Sequence, residues 1–532
     1  MNLNDPISKE ERIGILLVVL ALAASLFANL GVYPLYLEEP RRALITLEMI
    51  YSGNWIVPTE FGEFYYKKPP VWNWVQMASF YLFGPNEFGA RFFGVVSYLL
   101  IGYVIYWFVK RFQSERLAIY SSLFFLTTGS GLIYMNSASG EIDLLYCVIT
   151  FLMFMTIYYH HEKKKYLQLF VVAYLLTALG ALTKGLPSGV FVGFTLFGLF
   201  VDKRQFRMLF SYQHILGIAL LTLIVGSYAY AYYQFNDFTL FFQSDDESLV
   251  EQSAGKTFFM SSLPSIITHL FTFPFSIVFD LLPVSILVIF VFNRELVKRW
   301  WKEPFMRYLL ITLGVNILIY WLSPMTRTRY MYMLYPIPVI FFVYALLSGT
   351  SKWRQQVWHV FALVLQFLLL IGCISLPFLP VEQLTLLDNV VWLSCIFSLA
   401  MAGIIYLYFK KKALRLLCVI GSMVVLRFIF DFTASPIRAL QSDMLNRKNE
   451  GIAIGQLVKP YPVYMYKDSE ISRQRIFYIE QQSENFVRLS EQLDSTNYFL
   501  VDEKYLAEIE NFTSYYETEL NHTKLHLIRL AK

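Results

Sequence analysis

The sequence predicts an all-α polytopic membrane protein that ends in a small α/β domain. Of its 532 residues, 56% are hydrophobic and only 16% are charged, whereas a soluble globular chain carries about 25% charged residues. The mean hydropathy is +0.48, and the apolar residues fall in blocks of about 20, the length that a helix needs to cross a bilayer. The formal net charge of +5 is small, so we expect no nucleic-acid partner.

The apolar blocks predict about 13 membrane spans. Loops rich in Lys and Arg, from KRFQSER to FKKKALR, alternate along the chain with loops that are poor in them. Because such basic loops stay in the cytoplasm, we expect a cytoplasmic N-terminus and a C-terminus on the outer side. The predicted spans lie at residues 13–32, 92–110, 116–135, 142–160, 166–183, 187–201, 214–233, 270–292, 307–323, 330–348, 357–378, 389–409 and 413–432.

Two of the predicted outer loops are long, at residues 33–91 and 234–269. The first loop contains RALITLEMI and VWNWVQMASFYLF, which are too short or too polar to span and are predicted as interfacial helices. After the last span, residues 433–532 have the composition of a soluble domain. Its runs YPVYMY, RIFYIE, NYFLVD and KLHLIRL predict strands, and ENFVRLSEQL and EKYLAEIE predict helices. We therefore expect a transmembrane domain at 1–432 and an outer α/β domain at 433–532.

Several cations break the orientation rule, because they lie in outer loops close to a span. Any one of them could simply extend to the lipid headgroups. As a group they fit a phosphate-bearing lipid, since Arg and Lys are the usual phosphate binders. Lys184 is the clearest case, because it lies at the outer end of a helix beside Gly and Pro. The cations are Arg41, Arg42, Lys67, Lys68, Arg91, Lys184, Arg327 and Arg329.

Acidic residues form a second group in the same outer loops. Asp143 is followed directly by apolar residues, so it is predicted to lie at the membrane edge. Its alternative role is to cap the N-terminus of the following helix, which Asp does well. The acids are Glu38 and Glu39 in the first long loop, Glu141 and Asp143 at the outer end of the fourth span, and Asp245, Asp246 and Glu247 in the second long loop.

The first long loop reads EEPRRALITLEMIYSGNWIVPTEFGEFYYKKPPVWNWVQMASFYLFGPNEFGARF. It resembles the first periplasmic loop of the aminoarabinose transferase and protein O-mannosyltransferase-like glycosyltransferases, in which an Asp-Glu pair precedes Arg, Ala, SGDW.VP, Y..KPPL..W and E...R. An acid at the fourth span, LTKG at the fifth and Arg-x-Arg-Tyr before YP at the tenth also match. The resemblance covers roughly residues 10–350 and implies the C-type glycosyltransferase fold.

The resemblance also implies an enzyme of the bacterial inner membrane that moves a sugar from a polyprenyl phosphate carrier to an acceptor on the periplasmic side. Where the family usually has a catalytic Asp, this chain has Glu38, with Glu39 beside it as the alternative base. Lys67 stands where many relatives carry an acid. The implied catalytic residues are Glu38, Glu39 and Asp143, the phosphate-binding residues are Lys68, Lys184, Arg327 and Arg329, and the supporting residues are Arg41, Lys67, Arg91 and Glu141.

The expected reaction is a direct displacement with inversion at the anomeric carbon of the sugar. Cations stabilise the leaving phosphate while a carboxylate orients or deprotonates the acceptor. The scheme requires no cofactor and no metal, although the outer acids could bind a divalent cation. Lipid A, a surface glycan and an exported protein are all open as acceptors, and a lipid acceptor fits the membrane interface best.

Two other classes of protein share some of these features. A transporter or flippase of lipid-linked sugars also has many spans, but it places charges at mid-membrane in broken helices. A membrane scaffold could carry the α/β domain as an interaction module. Because the charges of this chain cluster on one face and in long loops, the sequence favours an enzyme that acts at the outer interface.

Overall fold

In the computed structural model, helices make up most of the chain and a small mixed sheet lies near the C-terminus. The residues that the structure describes are 3, 5–134, 139–237, 239, 262–291, 293–324, 326, 328–348, 352–380, 384, 387–441, 443–467, 469, 471–520 and 523–531. The predictions for Arg327, Asp245, Asp246 and Glu247 lie outside these residues.

The first half of the chain contains most of the helices that follow the predicted spans. The helix that starts the series is fixed by a capping box, in which Ser8 and Glu11 each accept a hydrogen bond from the other's backbone N–H. The elements are α1 (Lys9–Phe27), α2 (Glu39–Ser52), β1 (Thr59–Glu60), β2 (Glu63–Phe64), α3 (Val71–Phe83), α4 (Glu87–Phe112), α5 (Glu115–Leu126), α6 (Asp143–Glu162), α7 (Tyr166–Lys184), α8 (Pro187–Asp202) and α9 (Tyr212–Tyr233).

In the second half, one predicted span is displaced. The span expected at 270–292 begins at Leu263, because Pro264 suits the first turn of a helix, and it ends at Asp280. The elements are α10 (Leu263–Asp280), α11 (Val288–Val291), α12 (Arg294–Lys302), α13 (Pro304–Trp321), α14 (Pro336–Leu347), α15 (Lys352–Ser375), α16 (Val390–Lys410), α17 (Arg415–Ile429) and α18 (Ser435–Gln441).

The length and composition of the helices confirm a multi-pass membrane protein. Among the described residues, 9 helices are long and apolar enough to cross a bilayer. Two shorter apolar helices, Pro187–Asp202 and Pro336–Leu347, also follow predicted spans. The two helices α2 and α3 form where the first long loop was predicted to be helical.

The chain folds into two compact units. The first, which we call the membrane unit, comprises Met1–Asn29, Gly94–Ser227 and Phe242–Ile437. The second, which we call the loop unit, comprises Leu30–Phe93, Tyr228–Phe241 and Arg438–Lys532. The first long loop and the C-terminal α/β region therefore belong to one compact unit.

A mixed sheet of five strands forms the C-terminal part of the loop unit. The elements of this part are α19 (Asp443–Val458), β3 (Val463–Tyr466), α20 (Arg473–Ser483), β4 (Val487–Ser490), β5 (Tyr498–Asp502), α21 (Glu503–Leu506), β6 (Phe512–Leu520) and β7 (Thr523–Leu530). The strand order is β4-β3-β5-β7-β6, with β3 parallel to both β4 and β5 and with antiparallel pairing of β7 to β5 and β6. This confirms the predicted α/β class.

One hydrophobic core joins α2 to this sheet. Leu44 and Leu47 of α2 are buried in the same cluster as Ile476 and Phe477 of α20 and Leu500 of β5. Burial of one such side chain contributes about 1.5–3 kcal/mol to stability. The first long loop is therefore held to the C-terminal region mainly by apolar packing.

Two local predictions in this region were wrong. The run RIFYIE is not a strand but part of α20, whose first turn is capped by Ser472, which accepts from the N–H of Arg475. The run ENFVRLSEQL is not a helix, because Val487–Ser490 forms an edge strand beside β3. Short apolar runs fit either period, and packing against the rest of the domain decides between them.

Candidate functional site

A group of charged side chains meets at the start of α2 in the loop unit. We call it the loop cluster: Glu38, Glu39, Arg41, Arg42, Glu60 and Arg91. Pro40 near the helix start and Gly53 at its end, with φ of +66°, fix the limits of α2. The local sequence thus places the acidic pair at the first turn of a helix.

Glu39 is committed to a buried ion pair with Arg91. The Nε and Nη2 atoms of Arg91 donate to the two carboxylate oxygens of Glu39 at 3.0 and 2.8 Å. The Glu39 side chain is only 5% exposed. Its Oε2 atom also accepts from the backbone N–H of Tyr36 at 2.9 Å. The Glu39 carboxylate thus already accepts from three N–H donors.

Arg91 also organises the chain that leads into α2. Its Nη1 atom donates to the carbonyls of Leu30 and Tyr33 at 2.9 and 2.7 Å, and its Nη2 atom donates to that of Pro34 at 3.0 Å. Such a planar, five-donor guanidinium fixes several groups at once. The predicted supporting role of Arg91 is thus to hold the backbone next to the acidic pair.

Glu38 differs from its neighbour in exposure and in partners. Its side chain is 39% exposed, and its Oε2 atom accepts from Arg41 Nη1 at 2.8 Å, with Arg42 Nη2 at 3.8 Å. The residue before it, Leu37, has φ of +55°, a left-handed conformation that is uncommon outside glycine and that clusters at functional sites. Glu38 is therefore the half-exposed carboxylate of the pair.

The two lysines of the KKPP motif are half-buried in the same unit, between β2 and α3. The chain on either side of them is attached to α2. Before them, Arg42 Nη1 donates to the hydroxyl of Tyr65 at 3.0 Å, and after them Asn73 Nδ2 donates to Thr46 Oγ1 at 2.9 Å. These bonds fix the segment that carries Lys67 and Lys68.

A second group of charges lies in the membrane unit where α6 begins and α7 ends, at the predicted membrane edge, and we call it the membrane-edge cluster: Glu141, Asp143, Lys184 and Arg329. Asp143 is the first residue of α6 and Lys184 is the last residue of α7. Because consecutive helices run in opposite directions, these two ends meet, and Lys184 Nζ donates to Asp143 Oδ1. The N-cap of α6 is Ile142, so the alternative capping role of Asp143 is wrong.

Arg329 forms the second ion pair of this cluster. Its Nη1 atom donates to Glu141 Oε2 at 2.7 Å. The ring of Tyr330 lies 4.6 Å from Lys184 Nζ and 5.7 Å from the guanidinium carbon of Arg329, measured to the ring centroid. Each cation thus has a carboxylate partner and lies over the ring of Tyr330, whose π-electrons attract positive charge.

Two residues of these clusters were missed in the sequence. Tyr330 belongs to the Arg-x-Arg-Tyr element and could have been noted there, since aromatic rings often accompany bound cations. Glu60 lies in a short hairpin without any recognisable pattern, yet its side chain is only 11% exposed and its Oε1 atom accepts from Arg41 Nε at 3.3 Å.

Known proteins match part of the chain in sequence. Residues 67–230 match the family model described as dolichyl-phosphate-mannose-protein mannosyltransferase. A relative from Edwardsiella ictaluri, named undecaprenyl phosphate-alpha-4-amino-4-deoxy-L-arabinose arabinosyl transferase, is 34% identical over 110 residues, which is 20% of each chain. One from Proteus mirabilis, with the same name and the suffix 1, is 28% identical over 195 residues, or 34% of each chain. The chain therefore spans between a fifth and a third of the length of these curated relatives.

In three dimensions, a solved structure matches nearly the whole chain. The crystal structure of ArnT from Cupriavidus metallidurans bound to undecaprenyl phosphate matches with a TM-score of 0.72 at 16% identity, covering 98% of this chain and 99% of that chain. The same protein in the apo state matches with a TM-score of 0.71. These matches confirm the C-type glycosyltransferase fold. The sequence matches confirm the resemblance to the aminoarabinose transferase and protein O-mannosyltransferase-like family.

Proposed function

We propose that this chain is a membrane glycosyltransferase that moves a sugar from a polyprenyl phosphate carrier to a lipid A, glycan or protein acceptor. The proposal rests mainly on which residues of the chain match the mannosyltransferase family model. Residues 67–230 contain Lys68, Asp143 and Lys184, and the fold of an undecaprenyl phosphate-binding protein extends over 98% of the chain. The curated relatives named for transfer of an aminosugar from undecaprenyl phosphate support the donor class.

In the proposed reaction, a hydroxyl oxygen of the acceptor attacks the anomeric carbon of the donor sugar from the side opposite the phosphate. The bond from that carbon to the phosphate oxygen breaks, and its electron pair leaves with the phosphate. The acceptor proton passes to a carboxylate, which we assign to Glu38. A positioned carboxylate of this kind contributes about 10²–10⁴-fold to the rate.

The half-exposed position of Glu38 supports this assignment over Glu39. The carboxylate of Glu39 already accepts from Arg91 twice and from the Tyr36 backbone. We assign Glu39 and Arg91 to positioning, because the pair holds the backbone on which Glu38 lies.

The proposed phosphate-binding residues are Lys68, Lys184 and Arg329, with Arg327 included from the sequence alone. A lysine ammonium has three donors and an arginine has five, so Lys184 and Arg329 retain donors beyond those used on Asp143 and Glu141. Charge at a leaving phosphate is stabilised best by donors that are already in place. The two ion pairs keep these cations in place before a donor lipid binds.

Metal dependence is a separate part of the proposal. The scheme uses no divalent cation, and a chelator should leave transfer unchanged. Activity that EDTA removes and that Mg²⁺, Mn²⁺ or Ca²⁺ restores would instead assign a cation to the outer acids. The test needs only the purified protein and the transfer assay.

We place the protein in the inner membrane of a bacterium, with the N-terminus in the cytoplasm and the C-terminal domain in the periplasm. The alternation of basic loops supports this orientation. Single cysteines introduced near Lys203 and near Glu491 should react with a membrane-impermeant maleimide on opposite sides. Labelling of both from the same side would contradict the orientation.

The decisive experiment incubates purified protein in nanodiscs with a panel of radiolabelled polyprenyl-phosphate sugars and three acceptors: lipid A, a surface glycan and an exported protein. We expect label on one acceptor, and the lipid acceptor is favoured. The runner-up function, a transporter or flippase of lipid-linked sugar, is favoured if the label crosses a proteoliposome membrane and remains on the carrier. Mass spectrometry of envelope lipids and glycoproteins from a deletion strain then identifies the natural acceptor.

A further inference from the structure

An arginine of the C-terminal α/β region binds an acid of the first long loop. Arg473 is the first residue of α20, and its Nε atom donates to Oε1 of Glu60 in β1. The guanidinium of Arg473 also lies 5.9 Å from the ring centroid of Phe61. Both residues belong to the loop unit, so this ion pair joins the two sequence-distant parts of one compact body.

The same oxygen of Glu60 binds a second arginine, which in turn binds Glu38. Arg41 Nε donates to Glu60 Oε1 at 3.3 Å, and Arg41 Nη1 donates to Glu38 Oε2 at 2.8 Å. Four charges of alternating sign thus run from the C-terminal region to the half-exposed carboxylate. We call this series the charge relay: Arg473, Glu60, Arg41 and Glu38.

We propose that Arg473 is a positioning residue, through which the C-terminal α/β region sets the orientation and proton affinity of Glu38. The inference rests on the proposed function, because it gives the C-terminal region a part in the proton transfer assigned to Glu38.

The middle of the relay is buried enough for charges to act over several ångströms. The side chains of Arg41 and Glu60 are 16% and 11% exposed, so water and salt screen them less than surface groups. Burial by itself lowers the pKa of Arg41, but the attraction of Glu60 and Glu38 outweighs it and leaves that pKa raised. Arg41 therefore stays a cation at every pH at which transfer would be measured.

Loss of Arg473 changes the charge that Glu38 experiences. Glu60 would then be neutralised by Arg41 alone, which draws the Arg41 guanidinium towards Glu60 and away from Glu38. One positive charge is removed from the relay at the same time. Both changes favour the protonated form of Glu38, so the carboxylate should lose its function as a base at a higher pH than in the wild type.

If Arg473 only stabilised the fold, its loss should have the same effect as the loss of another ion pair between the same two regions. The C-terminal region makes a second ion pair with the first long loop, between Lys448 and Glu87, and Glu87 also accepts from the Tyr478 hydroxyl at 2.7 Å. This pair is not part of the relay. Lys448→Ala is therefore a matched control that removes one ion pair between the same two regions and leaves all four residues of the charge relay in place.

The first experiment measures the pH profile of kcat/KM for transfer. Arg473→Ala should move the acid limb about half a pH unit higher, the order expected for one charge acting over roughly 10 Å in a partly buried site. Arg473→Lys keeps the charge and should restore the limb. Lys448→Ala should lower the melting temperature without moving the limb. An unmoved limb in Arg473→Ala, or an equal shift in Lys448→Ala, overturns the relay.

A second measurement needs no activity. A water-soluble carbodiimide reacts with protonated carboxyl groups, so the pH at which labelling of Glu38 falls, followed by peptide mass spectrometry, reports its proton affinity. Arg473→Ala should move this midpoint to higher pH. If it does so in a protein that transfers no sugar, the relay stands and the proposed function fails. If transfer occurs and the midpoint does not move, the function stands and the relay fails.

Discussion

The loop cluster and the membrane-edge cluster both pair carboxylates with cations, but they match their charges differently. At the membrane edge, Lys184 and Arg329 each have a carboxylate of their own, and the side chains of Asp143 and Lys184 are only 6% and 13% exposed. In the loop cluster, Arg41 binds two carboxylates, those of Glu38 and Glu60. Glu38, at one end of the charge relay, is half-exposed.

The difference follows from the surroundings of each cluster. An unpaired charge at the edge of a bilayer is costly, so each cation predicted to lie there is neutralised by an adjacent carboxylate. A loop outside the membrane tolerates a longer series of charges, one end of which faces solvent. A group that must gain and lose a proton is expected at such an end, whereas groups that stabilise a phosphate can be paired beforehand.

The largest expected effect separates the two acids of the loop. Glu38→Gln should lower kcat for transfer by about 10²–10⁴-fold, because the amide cannot accept the proton, and should leave the melting temperature nearly unchanged. Glu39→Gln should lower the melting temperature, because Arg91 loses its charged partner. Full activity in Glu38→Gln together with loss of transfer in a well-folded Glu39→Gln would exchange the two roles.

A second test concerns the matched charges at the membrane edge. Lys184→Met should destabilise the protein by about 3 kcal/mol, because the buried Asp143 carboxylate then has lost its closest cation. Adding Asp143→Asn should recover much of that stability without restoring transfer. Thermal unfolding of the two single variants and the double variant in detergent measures the coupling. Additive losses in the double variant would show that the pair does not stabilise the unit.

The smallest expected effect concerns Glu48, a buried acid of the loop unit. The hydrogen bonds that the structure describes for its carboxylate come from neutral donors. Glu48 accepts from Thr59 Oγ1 at 2.6 Å and from the backbone N–H groups of Phe61 and Gly62 at 2.7 and 3.2 Å. Burial raises the pKa of Glu48 to about 7, although these donors oppose the shift. Burial also raises the pKa of Glu480 on α20, with the charge of Glu48 adding to the effect.

A pKa raised in the folded state means that stability is full below the unfolded value and is lost as pH rises towards the folded value. The melting temperature of the wild type should therefore fall between about pH 4.5 and 7, with Glu48 accounting for no more than about 3 kcal/mol. Glu48→Gln should make this fall shallower, and Glu63→Gln, at an exposed position of the hairpin that Glu48 binds, should leave it unchanged. An identical slope in wild type and Glu48→Gln would show that Glu48 keeps an ordinary pKa.

Much of the fold could be predicted because its signals are local. Apolar blocks gave the helices of the membrane unit, although one span is shifted to Leu263–Asp280, where Pro264 stands in the first turn. Strands β3, β5 and β7 were also predicted, from the short β-like runs YPVYMY, NYFLVD and KLHLIRL. The run RIFYIE was not, because it becomes helical only where Ile476 and Phe477 pack against the sheet and α2.

The candidate residues were predicted by motif, but their partners were not. Asp143 and Lys184 are 41 positions apart in the chain, Glu39 and Arg91 are 52 apart, and Glu60 and Arg473 are 413 apart. Nothing in the sequence indicates which acid meets which base over such separations. The adjacent Glu38 and Glu39 look equivalent until Arg91 is seen to bind one of them.

By itself, then, the sequence determined that this is a membrane protein, where most of its apolar helices lie and which polar residues stand outside the apolar blocks, because hydrophobic length and composition are properties of contiguous residues. Only the tertiary structure decided that Glu39 is buried and Glu38 half-exposed, that each membrane-edge cation has its own carboxylate, and that the C-terminal region reaches Arg41 through Glu60. Charge pairing depends on distance and burial, and both are set when distant helix ends and loops come together.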